Sequence, residues 1–198
     1  NPHVQTNWPA WFRLMTRLYI RQERIELADG DFFNLGWSGE EHRNGPIAVL
    51  VHGYSGGFSS KYLRGLARRL ITIGWRVAIL ELRGGTASHP SAHLYHHGDT
   101  ADLRLTWNIL RQREPETPMA TVGWSLGGSV LLNALGEAGN QVPLFAAAAA
   151  CVPFRLEPCA EHVRHGFARM YQDKLLNEMR TVLRKKHAKV SLPSGVDW

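Results

Sequence analysis

Along the first 150 residues, segments with the hydrophobic pattern of a strand alternate with segments whose apolar residues recur at helical spacing. This pattern predicts strands separated by helices. Short apolar runs are typical of strands, and several are followed by segments whose apolar residues recur at helical spacing. The predicted strands are residues 24–27, 32–37, 47–51, 75–80, 119–122 and 144–152. The predicted helices begin at Ser59, at Asp99 or Thr100, and at Ser125. The run 144–152 is the longest apolar run and is typical of a buried strand.

This order of elements predicts an α/β fold in which helices cover both faces of a mostly parallel sheet. The first two strands are joined by a turn at residues 29–31, so we expect an antiparallel hairpin at the start of the sheet. In such sheets the chemistry lies at the carboxyl ends of the strands. Residues 52–54 and the turn at Ser125 both follow directly after predicted strands.

After Pro153 the pattern changes, because residues 157–187 are almost all compatible with helices. We therefore expect a core over residues 1–153, followed by a helical cap and the start of the return to the core over residues 154–198. An apolar stripe runs along the cap; packing is its expected role, and contact with an acyl chain is the second hypothesis. The stripe consists of Val163, Phe167, Met170, Tyr171, Leu175, Leu176 and Met179.

Composition fits one globular domain, since 44% of the 198 residues are hydrophobic and 20% are charged. No window approaches the roughly 20 consecutive apolar residues of a membrane span. The net charge of +6 comes largely from the predicted cap helices, where a solvated basic face is the simpler interpretation. No nucleic-acid motif accompanies it, so no nucleic-acid partner is predicted, and peripheral contact with membrane lipids is a secondary hypothesis.

Two cysteines, Cys151 and Cys159, are too few for a disulfide framework, so we expect reduced thiols that are buried or half-buried. Reduced thiols favour a reducing, cytoplasmic compartment. The chain begins at Asn1 and not at methionine. We therefore expect that the true N-terminus is missing, and an upstream targeting or anchoring segment stays open.

The sequence Gly-Trp-Ser-Leu-Gly at residues 123–127 is the strongest chemical signal in the chain. It lies between a predicted strand and a predicted helix, the setting in which this motif presents a nucleophilic serine on a sharp turn. Glycines two residues before and after Ser125 relieve the crowding of that turn, and free N–H groups at the helix start suit a developing oxyanion. The simpler alternative is a glycine-rich turn that only packs tightly.

Seven blocks of sequence resemble the α/β-hydrolase superfamily and, within it, the bacterial YheT-like and eukaryotic ABHD-type esterases and lipases (the AB hydrolase 4 group). The blocks lie in the family's order at residues 1–6, 27–31, 51–53, 82–85, 95–100, 122–128 and 166–167. The resemblance implies that Ser125 is the nucleophile. It also implies that the backbone N–H groups of Tyr54 and Leu126 form the oxyanion hole. A serine mechanism has no metal step, so no cofactor is predicted.

One part of the family's pattern has no counterpart here. In this superfamily the acid and the histidine of the triad follow the serine, after later strands. This chain ends at Trp198 without a strand pattern after the cap. We therefore expect the N-terminal part of a longer hydrolase, with the C-terminal strands missing, the triad incomplete and the chain inactive as it stands. The strand at 144–152 would then be an open apolar edge.

The predicted function is a serine carboxylic-ester hydrolase whose partner is a small-molecule acyl ester. The resemblance implies medium-chain acyl esters or monoacylglycerol-like lipids. Two alternatives stay open: a catalytically dead binding module with the same pocket, and an acyltransferase in which an alcohol replaces water. The fold does not separate them. The oligomeric state is not predicted.

The remaining polar candidates have structural roles as their first interpretation. They are His52 as a loop-shaping residue, Arg83 as a partner of carbonyls or a carboxylate, Asp99 and Asp102 as residues favoured by a helix dipole, and His162 and His165 as surface residues. A metal site built from His93, His97 and Asp99 fits no familiar zinc spacing, so no metal is predicted.

Overall fold

The computed structural model describes residues 2–12, 14–84 and 93–187. The elements are α1 (Pro2–Phe12), β1 (Arg21–Glu26), β2 (Phe32–Ser38), β3 (Ile47–Val51), α2 (Lys61–Thr72), β4 (Arg76–Glu81), α3 (Ala101–Arg113), β5 (Met119–Trp124), α4 (Leu126–Ala138), β6 (Ala146–Ala150), α5 (Leu156–Val163) and α6 (Arg169–His187). Short 3-10 turns lie at Gly139–Gln141 and Gly166–Ala168. Predictions that concern Asn1, Gly85 and the return to the core after residue 187 lie outside the described residues. Within the described ranges, no helix is both long enough and apolar enough to cross a bilayer.

The six strands form one sheet in the order β1-β2-β4-β3-β5-β6. Strands β3 to β6 run parallel, whereas β2 pairs antiparallel with both β1 and β4. The predicted parallel sheet with a hairpin at its start is therefore confirmed. Val51 pairs with Gly123, so the carboxyl ends of β3 and β5 lie side by side. This register brings the segment after β3 next to the turn after β5.

The core lies on both faces of the sheet. Because side chains alternate along a strand, Ala48 and Leu50 of β3 pack with α2, whereas Val49 and Val51 pack with α3 and α4. Trp107 of α3 is almost completely buried. A continuous apolar run such as β3 is therefore covered by helices on either side, as its composition predicted. Helix α2 begins at Lys61 with Ser60 in the capping position, one residue later than the predicted cap.

Strand β6 is exposed, so the prediction of a buried strand at residues 144–152 is wrong. Its five residues are all alanine, and four of them are exposed. The reason is its position: among the described residues β6 is the last strand of the sheet and pairs only with β5. Within the described part of the chain the outer side of β6 has no paired strand, as the sequence led us to expect.

The helical segment after β6 is confirmed, but the packing of its apolar stripe is not. Val163 and Tyr171 are half-buried. The exposed members of the stripe, between 36% and 54% accessible, are Phe167, Met170, Leu175, Leu176 and Met179. Within the described residues α5 and α6 contact each other, α1 and the loop after β3, which leaves most of the stripe uncovered.

The two cysteines are also more exposed than predicted. Cys151 and Cys159 are both free, as expected, but both lie at the surface. Cys151 follows the uncovered strand β6, and Cys159 lies on α5, which has no buried residue.

Helix α1 is an element that the hydrophobic pattern did not predict, since Pro9 within it normally argues against a helix.

Candidate active site

Ser125 lies on the single-residue turn between β5 and α4. Its backbone has φ 51° and ψ −117°, a left-handed conformation that costs a non-glycine residue on the order of 1–3 kcal/mol. The Ser125 N–H donates to the carbonyl of Ala150 at 2.8 Å, which holds the turn against β6. Ser125 is exposed, and its hydroxyl has no hydrogen-bond partner among the described residues. The fold therefore presents this hydroxyl on a strained turn.

The glycines around Ser125 are required by the close approach of backbone atoms. A Cβ on Gly123 would lie 2.3 Å from the Gly127 carbonyl oxygen, and a Cβ on Gly127 would lie 2.3 Å from the His52 carbonyl oxygen. A Cβ on Gly128 would lie 2.7 Å from Cγ2 of Val152. All three distances are shorter than real Cβ contacts; the first two involve backbone atoms, whereas the third involves a side-chain methyl group. The crowding that the motif predicted is thus present on both sides of the serine.

The loop after β3, residues 52–60, runs beside this turn. A Cβ built on Gly53 would lie 3.3 Å from Cβ of Ser125 and 3.3 Å from the carbonyl oxygen of Trp124. Only a residue without a side chain allows this approach without displacement. The loop therefore brings its backbone next to Ser125, with Tyr54 as the following residue.

Three consecutive amides of this loop differ in their hydrogen bonding. The Gly53 N–H donates to the Tyr62 hydroxyl at 2.9 Å, and the Ser55 N–H donates to the Tyr95 hydroxyl at 2.8 Å. The Tyr54 N–H between them has no acceptor within residues 2–12, 14–84 and 93–187. Leu126 is the first residue of α4, where the helix itself supplies no acceptor for the N–H. Among the described residues, both amides that the resemblance implied for oxyanion binding are thus free to donate.

His52 is fully buried and holds the loop. Its Nδ1 lies 2.7 Å from the Gly53 carbonyl oxygen, and its Nε2 lies 3.2 Å from the Leu82 backbone nitrogen. Since the Leu82 N–H can only donate, Nε2 accepts and Nδ1 carries the proton. Burial lowers the pKa of His52, which keeps the ring neutral. The ring is therefore a structural element of the loop, in agreement with its predicted role.

This buried histidine should make stability depend on pH. Its pKa is lowered in the folded state, so below its ordinary value of about 6.5 the unfolded chain binds the proton first. The contribution is complete above pH 6.5 and is lost as the pH falls towards the folded value, with a slope of at most about 1.4 kcal/mol per pH unit. His52→Gln should flatten the dependence of the unfolding free energy on pH between 7 and 5, measured in urea.

The matched control for this measurement is His165→Gln, which alters an exposed histidine on the cap. It should leave the slope close to that of the wild type. Burial also lowers the pKa of His97, so part of the slope should survive in the His52 variant. An unchanged slope in His52→Gln would contradict the assignment of a neutral buried ring.

Arg83 connects three segments beside the site, as predicted for a structural arginine. Its Nε donates to Oδ1 of Asp102 at 2.8 Å, and its backbone N–H donates to Oδ2 of the same carboxylate at 3.2 Å. The guanidinium also reaches Asp29 at 3.2 Å. Burial raises the pKa of Asp102, and the charge of Arg83 opposes that rise. Asp102 is thus a buried partner of Arg83 in addition to its position in the first turn of α3.

The other histidines form contacts away from Ser125. His93 pairs with Asp99 at 2.6 Å, and Nδ1 of His97 lies 3.0 Å from Oγ of Ser129. His162 and His165 are exposed, as predicted. Across the described ranges no histidine hydrogen-bonds Ser125, and no group of three His, Cys, Asp or Glu side chains could hold a metal ion. A general base for Ser125 is therefore not found in this part of the chain.

Helix α6 covers the loop after β3. The Ser55 hydroxyl donates to Oε2 of Glu178 at 2.5 Å. A small, mostly apolar cavity of about 60 Å³ lies between the loop and the helix. Its lining includes Tyr54, Leu94, Tyr95, Met179, Val182 and Leu183. A larger cavity of about 320 Å³ near Arg76 lies at the amino end of β4, the opposite end of the sheet from Ser125.

The sequence did not predict the contacts of Tyr62, Tyr95 and Glu178. Tyr62 occupies the apolar face of a helix, where a tyrosine cannot be distinguished from ordinary packing by sequence. Tyr95 lies 40 residues from Ser55, whose backbone N–H donates to its hydroxyl, so no local pattern could have revealed the pair. Glu178 lies among the charged residues of the cap, and no sequence motif distinguishes it from the others.

Comparison with known proteins identifies relatives over most of the chain. Residues 43–192 match the family model described as serine aminopeptidase, S33. The chain is 36% identical over 191 residues to "Putative esterase YheT" of Escherichia coli, which is 95% of this chain and 56% of that protein. It is 36% identical over 155 residues to medium-chain fatty acid ethyl ester synthase/esterase 2 of Saccharomyces cerevisiae, which is 76% of this chain and 32% of that protein. The chain therefore spans about half the length, or less, of these relatives.

Solved structures agree on the fold. The Pyrococcus furiosus esterase Pf2001 superposes with a TM-score of 0.62 at 18% identity, over 88% of this chain and 63% of that one. A thermostable carboxyl esterase from Bacillus coagulans gives a TM-score of 0.56 at 12% identity, over 90% of this chain and 60% of that one. At such identities the likeness concerns the arrangement of helices and strands alone.

Proposed function

This chain belongs to the serine aminopeptidase S33 family of α/β-hydrolases, and we propose that its site is that of a serine carboxylic-ester hydrolase. The observation that carries the proposal is the exposed hydroxyl of Ser125 on a strained strand-to-helix turn. The loop beside it carries the N–H of Tyr54, which has no acceptor in the described ranges, and the helix that follows begins with the N–H of Leu126. A nucleophile beside unpaired main-chain donors is the arrangement that acyl transfer requires.

In this mechanism Oγ of Ser125 attacks the ester carbonyl carbon and transfers its proton to a general base. The carbonyl electron pair moves onto oxygen, and the N–H groups of Tyr54 and Leu126 stabilise that oxyanion. When the carbon–oxygen bond to the alcohol breaks, the base returns the proton to the leaving alkoxide and an acyl-enzyme remains. Water then attacks the acyl-enzyme with the help of the same base, and the carboxylic acid is released. No metal step is needed.

The general base is proposed to come from sequence that follows this chain in a longer protein. This is supported by the absence of a histidine bonded to Ser125 among the described residues and by the length of the curated relatives, since the matched segments make up 56% and 32% of those proteins. Loss of triad members typically reduces hydrolase rates by about 10⁴–10⁶-fold. The chain by itself is therefore proposed to be inactive.

The proposed substrates are acyl esters of medium chain length, including monoacylglycerol-like lipids. Support comes from the name of the yeast relative, which refers to medium-chain fatty acid ethyl esters. That name also includes a synthase, so transfer of the acyl group to an alcohol is the second candidate activity.

Two exposed cysteines without a disulfide support a reducing, cytoplasmic compartment.

A fluorophosphonate probe tests the proposal directly. In the full-length natural protein the probe should modify Oγ of Ser125, because the base and the free donors together activate this hydroxyl. Peptide mass spectrometry should find the adduct on the peptide that contains Ser125, whereas the 198-residue chain alone should label very slowly. A folded full-length protein that stays unlabelled would contradict the hydrolase and favour a binding module.

A further inference from the structure

The amide proposed as an oxyanion donor belongs to a peptide group that is fixed from the other side. The Tyr54 N–H shares its peptide plane with the Gly53 carbonyl. That carbonyl oxygen accepts Nδ1–H of His52 at 2.7 Å and the N–H of Gly56 at 3.1 Å. In a trans peptide the N–H and C=O point in opposite directions, so these two bonds direct the Tyr54 N–H away from the interior of the loop.

The peptide groups on either side of this plane are held by tyrosine hydroxyls. Tyr62 accepts the N–H of Gly53, and Tyr95 accepts the N–H of Ser55. Both N–H groups are thereby paired, and the one between them is left for a ligand. A loop with three glycines in five residues would otherwise have considerable backbone freedom, because glycine restricts φ and ψ very little.

We infer that Tyr62 and Tyr95 are positioning residues that hold the Tyr54 N–H in the direction of the oxyanion. The inference rests on the proposed ester hydrolysis. Preorganised donors stabilise a transition state because they need not reorient when the charge develops. Two side-chain acceptors on the neighbouring amides supply that preorganisation.

Each tyrosine is itself held firmly. Tyr95 is buried, its ring stacks on Tyr54 at 5.8 Å between centroids, and it meets the edge of His52 at 5.7 Å. Burial raises the pKa of Tyr95 well above its ordinary value, so its hydroxyl stays neutral. The Tyr62 ring packs on Trp124 at 5.3 Å, and Trp124 directly precedes Ser125. Tyr62 thus links the loop to the turn that carries the proposed nucleophile.

The test uses Tyr62→Phe and Tyr95→Phe in the full-length natural protein, since phenylalanine keeps the ring and removes only the acceptor. With p-nitrophenyl butyrate, each variant should lower kcat about tenfold and leave KM within about twofold, because the loss concerns the transition state. Binding of butylboronic acid, which forms a tetrahedral adduct with a serine, should weaken by a similar factor. Tyr19→Phe, which changes an exposed tyrosine, is the matched control and should behave as the wild type.

Amide hydrogen exchange gives a readout that does not depend on turnover. Exchange should accelerate at Gly53 in Tyr62→Phe and at Ser55 in Tyr95→Phe, with the sheet amides unchanged. An active wild type with unchanged kcat in both variants would overturn the inference and leave the hydrolase intact. A parallel change of kcat, KM and thermal stability would also overturn it, since that indicates a structural role alone. A wild type that neither hydrolyses esters nor reacts with the probe would overturn the proposed function, and the inference with it.

Discussion

Replacing Ser125 with alanine in the full-length natural protein should lower kcat/KM for p-nitrophenyl butyrate by about 10⁴–10⁶-fold. The hydroxyl is the only group at the turn that can form the acyl-enzyme in the proposed mechanism, and without it the ester can react only by direct attack of water, which the site does not position as the first nucleophile. The fold should survive the change, because alanine and serine meet the same constraint at φ 51°. Initial rates with purified variant and wild type, together with circular dichroism, provide the measurement.

The matched control is Ser129→Ala, one helical turn further along α4. Ser129 is almost completely buried and its Oγ lies 3.0 Å from Nδ1 of His97, so its hydroxyl has a structural partner. Its loss should change the rate only several-fold, through small effects on packing. If the Ser125 variant kept more than about a hundredth of the wild-type rate after contaminating esterase had been excluded, Ser125 would not be the nucleophile.

Gly127→Ala should be strongly destabilising for a substitution that adds a single methyl group. Its Cβ would lie 2.3 Å from the carbonyl oxygen of His52 and 2.7 Å from that of Val51, both of which are backbone atoms at the end of a central strand. Neither can move without disturbing the pairing of β3, so we expect a loss of roughly 3 kcal/mol or more in unfolding free energy. Urea denaturation followed by circular dichroism measures it.

Gly136→Ala on the same helix is the control for this substitution. A Cβ on Gly136 meets no atom within 4 Å, and the residue lies in the interior of α4. Alanine there should raise the unfolding free energy by about 0.5–1 kcal/mol, because it restricts the unfolded chain and favours the helix. Equal effects of the two substitutions would show that close packing at Gly127 is not what requires a glycine there.

The sequence predicted the structure best where a short local pattern reflects a steric requirement of the fold. Strand β3 has the predicted bounds because five consecutive apolar residues suit only a position covered on both sides. The turn at Ser125 was predicted for a similar reason, since glycines two residues away on each side indicate backbone atoms in close approach. In both cases the physical constraint lies within a few residues of the signal.

The features that were missed depend on partners distant in sequence. An apolar run indicates that residues can be buried, but not that a neighbour exists to bury them, and in the part of the chain that the structure describes β6 has a neighbouring strand on one side only. The apolar stripe of the cap is exposed for the same reason. The hydroxyl of Tyr95 bonds a backbone amide 40 residues earlier in the chain. Such a pairing is a property of the folded molecule and leaves no trace in local composition.

Strand β6, the alanine strand at the edge of the sheet, helps to hold the turn at Ser125 in place. Alanine buries little surface, so β6 depends mainly on its backbone bonds to β5 and should be the first strand to fray. The last of those bonds joins the Ala150 carbonyl to the N–H of Ser125. Transient detachment of this strand would release the amide of the strained turn. A further strand paired along the outer side of β6 would therefore steady the serine from a distance.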